Sequence, residues 1–281
     1  MVARCPSALN AIPRAYQGRV DIPCESYDTS RMKKPIALVA AMEEELEALL
    51  ARFPQHDARV HFNTRLFHAR HDDQELVIAQ TGVGKVNAAC TLALLLSDFG
   101  PGCVINTGTA GGLKPGQRIL DLLVPEEIVY TDVDVTPLGL AFGQMLGSEP
   151  RFRASPALLA RFREVLTARP EPPACHHGLL GSSDSFIHSA QQLDQIRSRF
   201  QDSVACVDME GGAIAHTCTR FGVPFLIVRA LSDVPGDGNN ALDFKTFLKS
   251  AAAGSADLCR ALVERLSACP DADGHALSRG P

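Results

Sequence analysis

Short apolar segments alternate with amphipathic segments along most of this chain, and this alternation restricts the possible folds more than any other feature. Runs such as Ile36–Ala41 have the length and composition of buried strands, whereas the segments between them repeat their apolar residues at helical spacing. The pattern predicts an α/β fold with three layers, α/β/α, around a central sheet that is either largely parallel or mixed. We predict strands at 36–41, 60–69, 75–81, 103–107, 118–124, 127–134, 178–182, 204–207 and 225–231, and helices at 43–52, 85–98, 155–168, 189–199, 210–221 and 243–267. The last helix is the clearest, with Asp243 as its expected cap.

The chain is expected to form a single folded domain over residues 32–268. With 281 residues and 46% hydrophobic content it is large enough to bury a full core, and no linker divides it. Residues 1–31 show neither helical nor strand periodicity and lack the apolar core of a signal peptide, so we predict a disordered extension there. Residues 269–281 are predicted to form a flexible tail.

Charge and apolar content exclude several kinds of partner. The net charge is -5, with both signs spread along the chain, so the sequence predicts no nucleic-acid-binding stripe and no patch for anionic lipids. The apolar runs are shorter than the roughly 20 residues that span a bilayer. A small, neutral molecule is therefore the expected ligand, and a soluble protein is expected.

The nine cysteines predict neither a disulfide framework nor a metal site. They form no C-x-x-C pair, and several lie in apolar runs where a reduced thiol acts as a small hydrophobe. Cys175-His176-His177 could suggest a metal, but no second cluster with zinc-like spacing exists. We therefore expect no metal and no cofactor, in a reducing cytoplasm.

Acidic residues follow three of the apolar segments. They are the triplet Glu43–Glu45, then Glu210 and Asp233. Reacting groups in α/β proteins commonly lie at such strand ends, and three carboxylates without a metal cluster favour acid/base hydrolysis.

The Glu43–Glu45 triplet and Asp233 also have a purely structural interpretation. On a helix, Glu43 and Glu45 would border the apolar stripe on opposite sides while Glu44 points away, and a run of three Glu is often only a solvated face. Asp233 could be an ordinary turn residue. Gly211 and Gly212 would weaken the helix after Glu210, which suggests a close approach at that point.

Two glycine-rich segments resemble nucleotide-binding loops only superficially. Thr81–Lys85 lacks the first glycine and the hydroxyl residue of a phosphate loop, because Ala79 and Val86 occupy those positions. The segment 107–112 lacks the spacing of the dinucleotide fingerprint. Either the backbone approaches a flat or polyhydroxylated ligand closely, or these are tight turns without a ligand.

Seven motifs, in order between about residues 34 and 267, resemble the bacterial 5'-methylthioadenosine/S-adenosylhomocysteine nucleosidases. The resemblance implies a nucleoside phosphorylase-like fold and hydrolysis of an N-glycosidic bond. The motifs are Ala-Met-Glu-Glu-Glu at 41–45, Thr-Gly-Val-Gly-Lys-Val at 81–86, Asn-Thr-Gly-Thr-Ala-Gly-Gly at 106–112, Asp-Val-Asp-Val-Thr at 132–136, Asp-Ser-Phe-Ile at 184–187, Asp-Met-Glu at 208–210 and Val-Arg-Ala-Leu-Ser-Asp-Val at 228–234.

The resemblance also implies roles for particular residues. Glu45 would activate the attacking water, Glu210 would accept hydrogen bonds from the ribose hydroxyls, and Asp233, supported by Ser232, would protonate adenine at N7. An acid at Asp233 would need an apolar or hydrogen-bonded setting to stay protonated. Further substrate contacts are implied for Phe186, which would stack on the purine; Ile187, whose backbone would read the purine edge; Met42 and Met209 at the sugar; Phe244 at the 5' group; and Thr81, Gly82, Ala110, Gly111, Val135 and Leu138.

The family pattern also implies a homodimer in which each partner completes the other's site. The chain departs from that pattern at three positions. Thr81 stands where Ser is common, Leu138 where an aromatic residue is frequent in the segment that reaches the neighbouring subunit, and Thr131 where His is frequent.

Three alternative functions remain open at this stage. Related nucleoside phosphorylases usually carry Arg before the Gly-Thr turn, where this chain has Asn106. A neutral side chain cannot make the charge-assisted contact that grips phosphate. The second alternative is hydrolysis of aminodeoxyfutalosine, and the third is a non-catalytic nucleoside-binding protein.

Overall fold

The computed structural model describes residues 34–61, 64–234 and 240–268. The predicted extension 1–31 and tail 269–281 lie outside this part of the chain. Twelve strands of the described part form one mixed sheet. They are β1 (Ile36–Ala40), β2 (His56–His61), β3 (Thr64–His71), β4 (Gln74–Gln80), β5 (Cys103–Gly112), β6 (Leu122–Leu123), β7 (Glu127–Tyr130), β8 (Phe152–Arg153), β9 (Cys175–His176), β10 (Leu179–Ser182), β11 (Val204–Asp208) and β12 (Phe225–Asp233).

Six α-helices of the described chain cover the sheet and complete the α/β/α arrangement. Five of them fall into two packed groups: α6 contacts α1, α3 and β12, whereas α2 packs against α5; α4 packs against β11. None of the helices in the described ranges is long and apolar enough to cross a membrane. The helices are α1 (Glu43–Arg52), α2 (Lys85–Phe99), α3 (Pro156–Thr167), α4 (Ala190–Phe200), α5 (Gly211–Phe221) and α6 (Asn240–Ala268).

Strand β5 organises the sheet. Its first half pairs in parallel with β1 on one side, nearly its whole length pairs in parallel with β12 on the other, and its last two residues pair antiparallel with β11. Every residue of β1, β11 and β12 is buried, as expected for strands covered on both faces. The predicted fold class is therefore confirmed, including the mixed sheet.

Several predicted boundaries are wrong, and polar or glycine-rich sequence explains most of them. The predicted strand 60–69 is a hairpin of β2 and β3, which the apolar pattern missed because β2 is an exposed edge strand of mostly polar residues. Strand β5 continues through the glycine-rich residues to Gly112 because that segment pairs with β12. A Cβ on Gly112 would lie 2.8 Å from Gln117 and 2.9 Å from Leu231, so neighbouring side chains fill its place.

Three further boundaries also differ from prediction. Helix α6 begins at Asn240, so Asp243 lies in its first turn and does not cap it. The predicted strand 118–124 is reduced to β6, because a turn precedes it in which Leu120 has a positive φ of 72°. Cys175 and His176, which lie in none of the predicted strands, form β9 beside β6.

This topology gathers the acidic strand ends at one place. Strand β1 leads into α1, β11 ends at Asp208, and β12 ends at Asp233, which pairs with Gly111 in β5. Glu45, Glu210 and Asp233 are distant in sequence, but all three are reached from strands that flank β5.

Candidate active site

A cavity of about 250 Å³ opens where β1, β5, β11 and β12 end. Its walls combine carboxylates, one guanidinium group, glycine-rich backbone and apolar side chains. The lining residues are Ala41, Met42, Glu45, Val83, Asn106, Thr107, Gly108, Thr109, Ala110, Gly111, Ser185, Phe186, Ile187, Val207, Asp208, Met209, Glu210, Arg229, Ser232, Asp233 and Phe244.

Glu45 is the buried member of the Glu43–Glu45 triplet. It lies in the first turn of α1 and folds back, so that Oε2 accepts hydrogen bonds from the amides of Ala41 and Met42, both at 3.1 Å. Oε1 accepts from the amide of Thr109 at 2.9 Å and from its hydroxyl at 3.2 Å. Burial raises the pKa of Glu45, although these amide hydrogen bonds and the charge of Arg229 oppose the rise. A buried carboxylate of raised basicity is suited to accept a proton.

Gly108 makes room for this carboxylate. A Cβ at position 108 would lie 3.1 Å from Glu45 Oε1 and 3.3 Å from Arg229 Nη1. The glycine-rich segment of β5 therefore allows backbone, Glu45 and Arg229 to meet at one point.

Glu210 lies immediately before α5 and is buried. Its Oε1 accepts a hydrogen bond of 2.9 Å from the amide of Gly84, at the start of α2. Burial raises the pKa of Glu210 to about 8, and the charges of Asp208 and Glu45 add to the rise, while the Gly84 amide and Arg229 oppose it. At neutral pH this carboxyl group can therefore hold a proton.

Beside Glu210, a buried ion pair joins β11 to β12. Arg229 donates to Asp208 Oδ2 from Nε at 3.1 Å and from Nη2 at 2.6 Å, and Nη2 also donates to Asn106 Oδ1 at 2.6 Å. The Asn106 side chain donates in turn to the carbonyl of Val39. Asp208 Oδ2 also accepts from the amide of Gly211, at the first turn of α5. The pair thus places a guanidinium group, neutralised by Asp208, in the cavity wall near Glu45 and Glu210.

Asp233 occupies the end of β12. Its Oδ1 accepts a hydrogen bond of 2.8 Å from the hydroxyl of Ser232, and both residues are buried. The Asp233 carboxyl group is therefore buried and hydrogen-bonded.

Apolar side chains form the remaining wall. The rings of Phe186 and Phe244 meet edge to face, with centroids 5.8 Å apart. Met42, Met209 and Ile187 also line the cavity. Phe186 is 39% exposed, so a flat apolar surface remains available to a ligand.

Four of the predicted substrate-binding residues do not line the cavity. Thr81 is buried, and its hydroxyl donates to the carbonyls of Ala40 and Gly82. Gly82 has a positive φ of 79° in the turn before α2. Val135 and Leu138 lie in the connection between β7 and β8, and Leu138 is 58% exposed. The other predicted residues, catalytic ones included, all line the cavity.

Sequence reasoning gave no role to Asp208, Arg229 or Thr109, which the structure places in the cavity wall. The position of Arg229 contained a usable signal: a charged residue in the apolar run Ile227–Leu231 has to be paired when that run is a buried strand. Its partner could not be identified from the sequence, because several acids precede it.

Comparisons with known proteins agree with this geometry. A model of the phosphorylase superfamily matches residues 35–264. The chain is 40% identical over 227 residues to the 5'-methylthioadenosine/S-adenosylhomocysteine nucleosidase of Geobacillus kaustophilus, which covers 81% of this chain and 95% of that protein.

Solved structures give the same result. The crystal structure of the corresponding nucleosidase from Neisseria meningitidis, in complex with methylthio-immucillin-A, is similar with a TM-score of 0.79 and 36% identity, over 82% of this chain and 99% of that one. The futalosine hydrolase of Helicobacter pylori is similar with a TM-score of 0.78 and 28% identity, over 83% and 98% of the two chains. This chain therefore belongs to the phosphorylase superfamily and, within it, to the 5'-methylthioadenosine/S-adenosylhomocysteine nucleosidases.

Proposed function

We propose that this protein hydrolyses the N-glycosidic bond of 5'-methylthioadenosine and S-adenosylhomocysteine, releasing adenine and the 5'-thioribose product. The observation that carries the proposal is the convergence of Glu45, Glu210 and Asp233 on one cavity that also has an aromatic wall. This cavity combines groups for proton transfer with a surface for a purine.

In this reaction, oxygen of a water molecule bonds to C1' of the ribose while the C1'–N9 bond breaks. Glu45 accepts the proton of the water, and the electron pair of the broken bond moves onto the purine. Asp233 donates a proton to N7, so adenine leaves as a neutral molecule. The raised pKa of Glu45 increases its basicity, and Ser232 holds the Asp233 carboxyl group in place.

The ribose becomes electron-poor as the bond breaks, so groups near it act through charge and orientation. Glu210 accepts hydrogen bonds from the ribose hydroxyls, and Met42 and Met209 contact the sugar. Phe186 stacks on adenine, the Ile187 backbone binds the purine edge, and Phe244 contacts the 5' group. The backbone of Ala110 and Gly111 completes the surface against which the nucleoside lies.

Water is the better acceptor for this site than phosphate. Among the described residues that line the cavity, Arg229 is the one with a guanidinium or ammonium group, and its N–H groups already donate to Asp208, Asn106 and a backbone carbonyl. The side-chain amide of Asn106 is likewise occupied: its oxygen accepts a hydrogen bond from Arg229, and its nitrogen donates one to the carbonyl of Val39. A phosphate dianion needs a cationic partner, and Asp208 already neutralises Arg229. The site therefore disfavours phosphorolysis.

The purified protein, incubated with each substrate in buffers with and without phosphate, tests this proposal. We expect free adenine and the free thioribose in both buffers, identified by chromatography. A sugar phosphate formed only with phosphate would identify a phosphorylase. Absence of adenine from both substrates would contradict the proposed reaction.

Hydrolysis of aminodeoxyfutalosine is a second candidate, favoured by the similarity to the futalosine hydrolase structure. The same carboxyl groups would serve that reaction, because the bond broken is again N-glycosidic. Comparison of kcat/KM for the three nucleosides separates the candidates. A higher value for aminodeoxyfutalosine than for both thionucleosides would make it the preferred substrate.

We also infer a homodimer in which Val135 and Leu138 reach the partner's site. Support comes from the exposed apolar side chains of Leu138 and Leu146 in the connection between β7 and β8, and of Val86 on α2. Leu138→Glu should shift the mass measured by light scattering from dimer towards monomer and lower the affinity for substrate. A monomeric wild-type protein with full activity would contradict this inference.

A cytoplasmic location is inferred from the thiols. Cys206, Cys218 and Cys259 are buried free cysteines, which suits a reducing compartment. Detection of the protein in fractionated cells, by an antibody, tests this inference.

A further inference from the structure

Lys85, Asp132 and Asp184 form an ionic cluster at the rim of the cavity. Lys85 is the first residue of α2, and its Nζ lies 2.8 Å from Asp132 Oδ1 and 2.7 Å from Asp132 Oδ2. The same Nζ lies 3.8 Å from Asp184 Oδ2 and 5.1 Å from the centre of the Tyr130 ring. We call Lys85, Asp132 and Asp184 the Lys85 cluster.

Backbone hydrogen bonds close this cluster into a ring. The amide of Lys85 donates to Asp184 Oδ1 at 2.7 Å, and the amide of Asp184 donates to Asp132 Oδ2 at 3.0 Å. Three separate chain segments are therefore joined: the start of α2, the chain after β7 and the chain after β10. Two carboxylates share one lysine, so removal of the ammonium group would leave like charges side by side.

The start of α2 binds a carboxyl group of the cavity. Gly84, immediately before Lys85, donates its amide to Glu210 Oε1 at 2.9 Å. Gly84 has a positive φ of 95°, and a Cβ there would lie 3.2 Å from Asp184 Oδ1. The amides of two adjacent residues, Gly84 and Lys85, thus bind Glu210 and Asp184.

The segment that contains Asp184 continues directly into the cavity wall. Asp184 is followed directly by Ser185, Phe186 and Ile187, all of which line the cavity. A displacement of Asp184 would therefore move the residues against which we place the purine.

We propose that the Lys85 cluster positions Glu210 and the segment 185–187 relative to each other, and that Lys85 is a positioning residue for the reaction. This inference rests on the proposed function, because it assigns the ribose to Glu210 and the purine to Phe186 and Ile187. Lys85 does not line the cavity, so it acts through Gly84 and Asp184.

Positioning of this kind affects rate more than stability. The side chains of the cluster are 21%, 29% and 49% exposed for Lys85, Asp132 and Asp184, and partly exposed ion pairs contribute little to the free energy of unfolding. A small displacement of groups that hold a substrate can nevertheless reduce turnover by orders of magnitude.

The test compares Lys85→Met with Lys85→Arg, which keeps the charge, and with Arg163→Met. Arg163 forms a 2.6 Å ion pair with Glu126 on the surface away from the cavity, so it controls for loss of an exposed ion pair. Adenine release gives kcat and KM, hydrogen–deuterium exchange reports on residues 82–87 and 183–188, and thermal unfolding reports on stability.

For Lys85→Met we expect kcat/KM lower by on the order of tenfold or more, with faster exchange in both segments and an unfolding temperature close to that of wild type. Lys85→Arg should recover most of the loss. Values of kcat/KM for Lys85→Met equal to those of Arg163→Met would overturn the inference, whether or not exchange changes. If Lys85→Met does not fold, Asp132→Asn is measured by the same criteria.

The experiment distinguishes failure of the proposed function from failure of the inference about the Lys85 cluster. If the wild-type protein releases no adenine from either thionucleoside, the reaction assigned above is wrong, and exchange alone decides about the cluster. Faster exchange in both segments of Lys85→Met would then support the structural coupling, and unchanged exchange would overturn it.

Discussion

The hydroxyl of Ser232 donates a hydrogen bond of 2.8 Å to Oδ1 of Asp233, and both side chains are buried at the end of β12. This bond fixes the rotation of the carboxyl group within the cavity. Because the two residues are adjacent on a strand whose alternate side chains point to opposite faces, the contact depends on the irregular register where β12 meets β5. The geometry fits a carboxyl group that has to present a proton in one direction.

Replacement of Asp233 by Asn should therefore remove the acid without disturbing the fold. Asn has the same size and can still accept the Ser232 hydrogen bond, but it cannot donate a proton to N7. We expect kcat to fall by about 10²- to 10⁴-fold, the usual contribution of a general acid. Near-normal turnover of Asp233→Asn would remove this residue from the mechanism.

Ser232→Ala provides the matching control for orientation. It leaves the acid in place and removes only the hydroxyl that holds it, so kcat should fall less than in Asp233→Asn. Circular dichroism of both variants should match that of wild type. An equal loss in both variants would mean that the hydroxyl itself takes part in the reaction.

Glu210 should make stability depend on pH. Its pKa is raised to about 8 in the folded protein from an ordinary value of 4.5, so the folded state retains a proton that the unfolded state has lost between these values. The contribution of Glu210 to stability therefore decreases as pH rises through this range, and it is least favourable above pH 8.

Glu210→Gln should remove that pH dependence. We expect its unfolding temperature to exceed that of wild type at pH 8.5 by more than it does at pH 5, while its activity is reduced because Gln binds the ribose less well. Thermal unfolding across this pH range measures the difference. The same difference at both pH values would show that Glu210 does not titrate in this way.

The buried pair of Asp208 and Arg229 should be important for stability. Asp208→Asn would leave the guanidinium of Arg229 buried without its counter-charge, at a cost of about 3–5 kcal/mol in the free energy of unfolding. Urea denaturation measures this loss, and Glu126→Gln, which breaks an exposed pair with Arg163, is the control with little expected effect. Equal stabilities of the two variants would contradict the importance of the buried pair.

The first 31 residues should be dispensable. The described sheet and the described lining of the cavity are built from residues between 34 and 268, so deletion of residues 1–31 should leave both the unfolding temperature and kcat/KM unchanged. A large loss of either quantity in the shortened protein would show that the predicted boundary near Met32 is wrong.

The sequence predicted the fold class because apolar strands and helices differ in period, and because β1 and most of β11 and β12 are apolar. It did not predict β2, whose exposed residues carry no such signal, or the extension of β5 through Gly108–Gly112, where glycine usually indicates a turn. Whether a glycine lies in a turn or beneath a neighbour's side chain depends on contacts across the sheet, which one sequence does not reveal.

The sequence predicted the acidic residues of the candidate site more completely than the residues that contact them. Position after a strand indicated Glu210 and Asp233, and the family motif selected Glu45 from its triplet. The bond of Glu210 to Gly84 and the pairing of Arg229 with Asp208 join residues from different strands and helices. Such contacts require the three-dimensional arrangement, because no local pattern specifies them.

The difference between Glu44 and Glu45 gives the most direct test of the whole account. The two residues are adjacent in one triplet. Glu45 is buried and lines the cavity, whereas Glu44 does not line it. Adenine release from 5'-methylthioadenosine in phosphate-free buffer should be compared for wild type, Glu44→Gln and Glu45→Gln.

We predict that wild type and Glu44→Gln release adenine at similar rates and that Glu45→Gln is slower by about 10²- to 10⁴-fold. Wild-type protein that releases no adenine without phosphate, or a Glu45→Gln variant as fast as Glu44→Gln, would contradict the assignment of this cavity to hydrolysis by water that Glu45 activates.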